Sequence, residues 1–533
     1  MAGRIIHNLK QTMADNSHSH NHNRQRQQQL RSFSSRPGEH SKDTRTSTDA
    51  PFPITPRTRT MAILASGNSL LLGFDIGTTA SVSQGATALF QLTDAQRGLF
   101  VGSINLFMIV GVLVNPFIND QYGRRACFGT SAIILLLGQA ILYTAGSYTE
   151  LMVGRAIAGI GFGVGLGVDV LYTTEISSST HRGQVVAMTE AGIQMGLMLG
   201  SIMTYALAEI DTAARWRAIV SIGMVLPVVM IFLASFVLVE SPRFLVIRGR
   251  NAQATAILEG LYPPGFPTHS VVVGIREALE RERLAERSIG WSVIFCPTPA
   301  FRRMFLLGWG ISFSQQAIGI DALQYYMTDV IAHAGIESTS EQAFYMIGMA
   351  VIKLQCIVLC GKMLDIQGRR FVLFLSLIGM AVSLGIVSLS FFLHQDVHLV
   401  VVMLGLTLYF GFEGLGVGPT SRLIASEIFP TSVRAKAMSV ATIINRLAAA
   451  VMATTFFSVK DALTWPGIFM LLATVCVIVA SLLYCYLPET NQRSLEDMSL
   501  YFSELTGDTS ILDAEHKLRE EANDARIAML ARV

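Results

Sequence analysis

Apolar and polar residues follow one another along this chain in long blocks. From Met61 to Leu238, runs of about 20 apolar residues lie near 61–82, 97–118, 126–146, 151–173, 185–207 and 216–238, each long enough to cross a bilayer as a helix. A polar block over 240–301 interrupts them, and within it Ile275–Arg287 sets Glu and Arg at the spacings of a solvated surface helix. Six further runs follow, near 302–331, 343–364, 371–393, 398–424, 437–459 and 465–487. The pattern predicts an all-α polytopic membrane protein with twelve transmembrane helices in two six-helix halves, 61–239 and 302–488. A linker with short amphipathic helices (240–301) joins them. Residues 1–60 read as a disordered tail and 489–533 as a polar C-terminal tail.

Composition removes the main alternative. A chain of 533 residues has the length of three or four soluble domains, but only 15% of it is charged, against about 25% in a soluble protein. Lys and Arg (40) nearly cancel Asp and Glu (38), which excludes a nucleic-acid binder run by bulk positive charge and an acidic disordered chain. Six scattered cysteines do not make a disulfide framework. The first 60 residues hold ten Lys/Arg against four acids but no apolar core of a secretory signal, and they fit a transit peptide only weakly. His18, His20 and His22 alternate without further ligands, so no metal or cofactor is expected.

The positive charges choose a side. Lys and Arg sit in the tails, at Arg124-Arg125, at Arg182, in the linker, at Arg369-Arg370 and at Arg434 and Lys436. The alternate breaks (147–150, 208–214, 332–342 and 394–397) have none. By the positive-inside tendency both termini and the linker are cytosolic.

The halves also repeat. Asp120-Gln-Tyr-Gly123-Arg124-Arg125 returns as Asp365-Ile-Gln-Gly368-Arg369-Arg370, and Glu175 stands seven residues before Arg182 as Glu427 does before Arg434. Glu240 returns as Glu489, and Asp75 as Asp321. Four pairs in one order at nearly one period predict pseudo-symmetric halves, the arrangement in which carriers hold substrate at the interface. Asp120, Arg124, Arg125, Glu175, Arg182, Glu240, Arg243, Asp365, Arg369, Arg370, Glu427, Arg434 and Glu489 are expected to form a cytosolic gate of salt bridges between helix ends. Plain anchoring at the headgroups is the simpler reading.

These residues resemble the sugar porter branch of the major facilitator superfamily over about 61–500. The landmarks are Gly73-Phe-Asp75-Ile-Gly77, Gly123-Arg124-Arg125, Gly154-Arg155, Glu175…Arg182-Gly183, Glu240-Ser-Pro-Arg243, Gln315-Gln316-Ala-Ile-Gly319-Ile-Asp321, Gly416-Val-Gly418-Pro419, Ser426-Glu427 and Pro488-Glu489-Thr490. The resemblance implies alternating access for a sugar or polyol. An acid at Glu190, an acid at Asp321 and Asn445-Arg446 are closer to polyol and inositol carriers than to hexose carriers. Arg422 stands where the family usually has Trp.

An ionisable side chain inside a span costs at least roughly 2.5 kcal/mol, so each should face a cavity or a partner. The resemblance implies that Asp75 accepts a proton while Arg155 favours its ionised form; a permanent structural pair is the alternative. Gln315, Gln316 and Asn445 offer donors and acceptors to hydroxyls, and Asp321 and Glu190 can accept from paired hydroxyls, with Arg422 and Arg446 as charge partners. Tyr325 and Tyr326 are expected at an outer gate. Glu413 has three open roles: binding a hydroxyl, taking a proton, or pairing with Arg422. Asp169 stands at the end of a glycine-rich stretch (glycines at 159–167) that serves close helix packing rather than phosphate binding, since it follows no strand.

The expected protein is therefore no enzyme. It is a proton-coupled sugar or polyol symporter, acting as a monomer in the lipid bilayer, in the plasma membrane rather than an organelle. A facilitative hexose uniporter, a quinate-like organic-acid carrier and a sugar sensor are the alternatives.

Overall fold

The computed structural model describes residues 55–176, 182–263, 265–288, 290–430, 432–491, 495–517 and 520–521, with the side chains of 182–187, 281, 285–288, 365, 395–396 and 495–496 excepted. The described residues are helical throughout, without a strand. The first half comprises α1 (Pro56–Ala65), α2 (Gly67–Phe90), α3 (Asp94–Tyr122), α4 (Arg124–Thr144), α5 (Tyr148–Ile176), α6 (Arg182–Ala206), α7 (Thr212–Gly223) and α8 (Val225–Phe232). The linker carries α9 (Pro242–Ile247), α10 (Asn251–Leu261), α11 (Thr268–Ser288) and α12 (Ser292–Phe295). The second half comprises α13 (Pro299–Ala317), α14 (Ile320–Tyr325), α15 (Met327–His333), α16 (Thr339–Gln367), α17 (Arg369–Ser390), α18 (Gln395–Leu415), α19 (Val417–Ile428) and α20 (Arg434–Tyr486), followed by α21 (Leu495–Thr506).

Every expected span falls on helix, and nine helical stretches among the described residues are long and apolar enough to cross a membrane. The differences are breaks. The run 302–331 is three helices, broken at Gly319, whose φ of +87° releases the ladder beside Asp321, and again at Tyr326. The run 398–424 divides at Gly416, before Pro419. The last two runs form one 53-residue helix interrupted at Thr464, whose φ of 63° precedes Trp465-Pro466 and turns the chain back.

Packing follows the small residues. A Cβ on Gly163 would stand 2.2 Å from the Met108 carbonyl, so α3 and α5 cross with backbones in contact. Between the halves, α3 lies on α20 and α6 on α16. Two boundaries move. Residues 56–60, expected in the tail, begin α1, where Thr58 is buried and its hydroxyl donates to the Leu261 carbonyl at 2.8 Å. The C-terminal tail, expected to be merely polar, folds as α21 with Met498 and Phe502 buried, and Asp508 accepts from the Ala300 N–H that opens α13 at 3.1 Å. Hydrogen bonds from the Ser510 and Ala300 N–H groups and the Thr298 hydroxyl outweigh the upward pull of burial and hold the Asp508 carboxyl below its ordinary value.

Candidate functional site

Asp75 and Arg155 meet inside the first half. Arg155 Nη1 donates to both carboxylate oxygens at 2.9 and 3.0 Å, its Nη2 donates to the Thr79 hydroxyl at 3.3 Å, and the guanidinium lies over the Phe100 ring at 4.9 Å. Arg155 is buried, and Asp75 borders a small cavity, with room for little more than a water molecule, walled by Thr78, Gln139, Leu142 and Ile219. A carboxylate held by one guanidinium and open on one side has the geometry for exchanging a proton.

A second polar cluster spans both halves. Asn445 Nδ2 donates to Gln315 Oε1 at 3.0 Å and to the Ser312 carbonyl at 2.8 Å. Its Oδ1 accepts from Arg446 Nε and Nη2, at 3.1 and 2.6 Å. Arg446 Nη1 reaches across to Asn105 Oδ1 of α3 at 3.1 Å and stands 3.6 Å from Asp321 Oδ2. Asn105 Nδ2 in turn donates to the Tyr325 hydroxyl at 3.3 Å. Two buried acceptors in this cluster, Gln316 Oε1 and Asp321 Oδ2, make no hydrogen bond. Tyr326 faces elsewhere: its hydroxyl donates to the Ala453 carbonyl at 2.8 Å and its ring stacks on Phe456.

The remaining span charges pair in a way the sequence left open. Arg422 bonds Glu190 of the other half at 3.1 Å, so it does not pair with Glu413. Glu413, fully enclosed, takes Lys353 at 2.8 Å instead. Glu413 lies in the last turn of α18 and Arg422 in α19, nine residues on, with the Gly416 break between them.

The repeated loop charges form two matching clamps. Arg124 makes a bidentate pair with Glu175 (2.8 Å each), and Arg369 binds Glu427 at 3.1–3.2 Å. Glu240 accepts the backbone N–H of Arg124 at 2.9 Å, as Glu489 accepts that of Arg369 at 3.1 Å. Ser241 and Thr490 each donate at 2.6 Å to the glutamate held by the arginine. Arg125 and Arg370 bond the carbonyls of Ala234 and Tyr484. Gly123 (φ +94°) and Gly368 (φ +86°) make both turns possible. Burial pushes the Glu240 carboxyl above its ordinary value against the pull of the three N–H donors. Both clamps join helix ends within one half, whereas a gate closing one half on the other would need pairs between them. Arg243 adds a contact to Glu175 at 3.8 Å and a bond to Glu282, and Arg434 Nε donates to the Phe429 carbonyl. Asp120 stays outside the clamp: its side chain is exposed and Arg248 bonds only its carbonyl. The side chains of Arg182 and Asp365 lie outside the described residues.

Three partners went unread in the sequence. Arg97, in the first turn of α3, makes a bidentate pair with Asp329 of the other half at 2.7 and 3.0 Å, on the face opposite the linker. Ser83 and the Phe457 ring complete its surroundings, and Gln84 Nε2 donates to Thr328 beside it at 3.0 Å. Asn105 and Lys353 are the other two. An intramembrane Asn or Lys is itself a signal, but only the docking of distant helices says which residue it meets.

Membrane-length helices throughout the described residues, the same clamp in each half and buried ion pairs from one half to the other are the features of a major facilitator fold. The proton:xylose symporter XylE bound to 6-bromo-6-deoxy-D-glucose superposes with a TM-score of 0.70 at 22% identity, covering 84% of this chain and 99% of that one. The inward-open XylE of E. coli gives 0.71 at 21% identity, covering 83% and 99%. The family described as "Sugar (and other) transporter" matches residues 60–502, and the chain belongs to it. Among curated relatives, the probable polyol transporter 4 of Arabidopsis thaliana is 31% identical over 470 residues, 86% of this chain and 88% of the relative. Polyol transporter 5 of the same plant is 30% identical over 465 residues, 83% and 85%. The protein is thus a multi-pass membrane transporter.

Proposed function

We propose that this carrier moves a neutral sugar or polyol by alternating access, in symport with a proton taken up at Asp75. The observation that carries the substrate class is charge pairing around the interface between halves. Glu190, Asp321 and Glu413 each have a basic partner (Arg422, Arg446, Lys353), which leaves unbonded acceptors, Gln316 Oε1 and Asp321 Oδ2, beside the amides of Gln315 and Asn445. Such a site rewards a ligand with several hydroxyl donors and no net charge. An organic acid would need a spare cation, and Arg422 and Arg446 are both engaged. The relatives named as polyol transporters point the same way.

Substrate contacts in this reading come from Gln315, Gln316, Asp321, Asn445, Tyr325 and Glu190, with Arg422 and the Lys353-paired Glu413 setting the charge of the wall. Arg155 releases Asp75 for protonation. The clamps built on Arg124 and Arg369, together with Arg125, Arg370, Glu175, Glu240, Arg243, Glu427, Arg434 and Glu489, keep each half rigid while the halves rock. The linker and both termini face the cytosol, as the loop charges require, and the carrier acts as a monomer in the plasma membrane.

The test is uptake into proteoliposomes of hexoses, pentitols, hexitols and inositols, with and without an inward proton gradient. Accumulation of at least one neutral compound driven by the gradient is expected, and Asp75→Asn should abolish accumulation while sparing exchange. Gradient-independent equilibration in wild type would assign a uniporter. Uptake of an acid that polyols fail to inhibit would assign the organic-acid reading.

A further inference from the structure

Inside the first half lies a buried polar cluster that the transport steps above leave unused. Asp169 of α5 is fully buried, and its Oδ2 accepts two hydrogen bonds from Ser69 of α2, the backbone N–H at 2.7 Å and the hydroxyl at 2.6 Å. The N–H is available because the helix is interrupted at Ser66, so that α2 begins at Gly67 with its first amides outside the ladder. Asp169 Oδ1 has no hydrogen-bond partner. Among the described residues no Lys, Arg or His makes an ion pair with this carboxyl, unlike Asp75, Glu190, Asp321 and Glu413.

Its surroundings suit a group that changes charge. The Asn68 amide, 3% exposed, leans on the carboxyl without a well-formed hydrogen bond, and its Oδ1 has no partner. Ser131 Oγ of α4 is equally buried and unbonded. Gly165, one turn before Asp169, gives them room: a Cβ there would stand 2.9 Å from Ser131 Oγ and 3.0 Å from Asn68 Cγ. An amide and a hydroxyl each hold donor and acceptor, so by turning they donate to a carboxylate or accept from a carboxylic acid. The opposing magnitudes are of the same order, which is the condition for a group that changes charge. Two hydrogen bonds to an anion contribute about 1.5–3 kcal/mol each and a helix N-terminus about 1 kcal/mol more. Against them, enclosing an unpaired carboxylate costs several kcal/mol and leaves Oδ1 unbonded as well.

We propose that Asp169 is a second proton-binding site of this transporter, separate from Asp75, whose protonated form fastens α2 to α5. The ligand is the proton itself, and the cluster formed by Asn68, Ser69 and Ser131 is its cradle. Other titratable or charged groups approach α5 from each side: Cys127 and Arg124 on α4, Glu240 and Arg243 beyond α8, and Asp75 on α2. Arg57 and Arg59 lie on α1, Asp120 on α3 and Glu190 on α6, while Arg155, Tyr172 and Glu175 share α5 itself. Loss of the proton at alkaline pH puts a bare charge into the joint between the two helices that carry Asp75 and Arg155, and slows their rearrangement.

The proposal rests on the transport reading, and substrate counterflow without a proton gradient keeps the two apart, since counterflow needs no coupling. In an Asp75→Asn, Cys127→Ser background, counterflow should fall at alkaline pH by about tenfold per pH unit, as for one titrating group. Adding Asp169→Asn, the shape of the protonated acid, should abolish that fall, whereas Ser69→Ala, which removes a donor to the anion, should move it to higher pH. Infrared spectra of the full chain should show a carboxylic-acid C=O band at neutral pH that Asp169→Asn removes. An unchanged band, or a fall that survives Asp169→Asn, overturns the proposal. So does a thermal stabilisation by sodium chloride over choline chloride that Asp169→Asn abolishes, which would assign the cradle to a metal cation.

Discussion

Asp329→Asn tests the contact that ties the halves together on the face opposite the linker. Arg97 and Asp329 share two charge-assisted hydrogen bonds, 2.7 and 3.0 Å, with side chains 9% and 19% exposed. A hydrogen bond to a charged partner contributes about 1.5–3 kcal/mol net. The substitution keeps one acceptor oxygen and removes the other together with the charge. Arg97 is not stranded, because Ser83 and the Phe457 ring (5.0 Å) remain. Partial exposure lowers the figure further, leaving a loss of about 2 kcal/mol from the state closed on this face. At 1.4 kcal/mol per decade, the population open on this face rises about 30-fold. The assay is the rate at which a membrane-impermeant maleimide labels a cysteine replacing Gln84, which faces Thr328 across the same seam. Exposed Cys296 and Cys485 are changed to Ser beforehand. A labelling ratio between Asp329→Asn and wild type below about threefold, or 0.6 kcal/mol, would refute the idea that this pair holds the seam closed.

Lys353→Met should destabilise the protein by about 3–5 kcal/mol, because it leaves Glu413 as an uncompensated buried charge, and Lys353→Met with Glu413→Gln should recover most of that in thermal unfolding. The Glu190–Arg422 pair is partly exposed, so a double-mutant cycle on substrate affinity should return a coupling of about 1 kcal/mol, with the exchanged pair Glu190→Arg, Arg422→Glu closer to wild type than either single reversal. Asn445→Ala should raise the KM for the carried compound about fivefold, the effect of about 1 kcal/mol from one lost hydrogen bond, with unchanged expression. Gly319→Ala should cost about 1–3 kcal/mol in thermal stability, because φ is +87° and Leu472 occupies the space a Cβ needs, 2.9 Å away.

The clamps were legible because their geometry is local. A glycine at positive φ followed by two arginines writes the same turn in both halves, and glutamates at fixed offsets meet it. The spans were legible because a bilayer admits little besides apolar helices of one length. What stayed hidden lies across the interface or at helix breaks. Nothing in the neighbourhood of Arg97 indicates Asp329, 232 residues away, and nothing near Arg446 indicates that it meets Asn105 as well as Asp321. Glu413 and Arg422, nine residues apart in one apolar run, read as partners on one helix; the break at Gly416 sends them to different neighbours.

The pairing of the span charges also has an electrical consequence. Asp75, Glu190, Asp321 and Glu413 are matched by Arg155, Arg422, Arg446 and Lys353. With Asp169 neutral, these groups carry no net charge when the halves turn from one face to the other. A membrane potential, which acts at about 2.3 kcal/mol per elementary charge per 100 mV, then has nothing to pull on in the empty carrier. In the proposed symport a proton on Asp75 changes that, because Arg155 would be left unmatched and the loaded carrier would travel with one positive charge. Voltage should therefore drive the inward, loaded step and leave the return step untouched, so that the current counts protons and, through them, molecules of substrate.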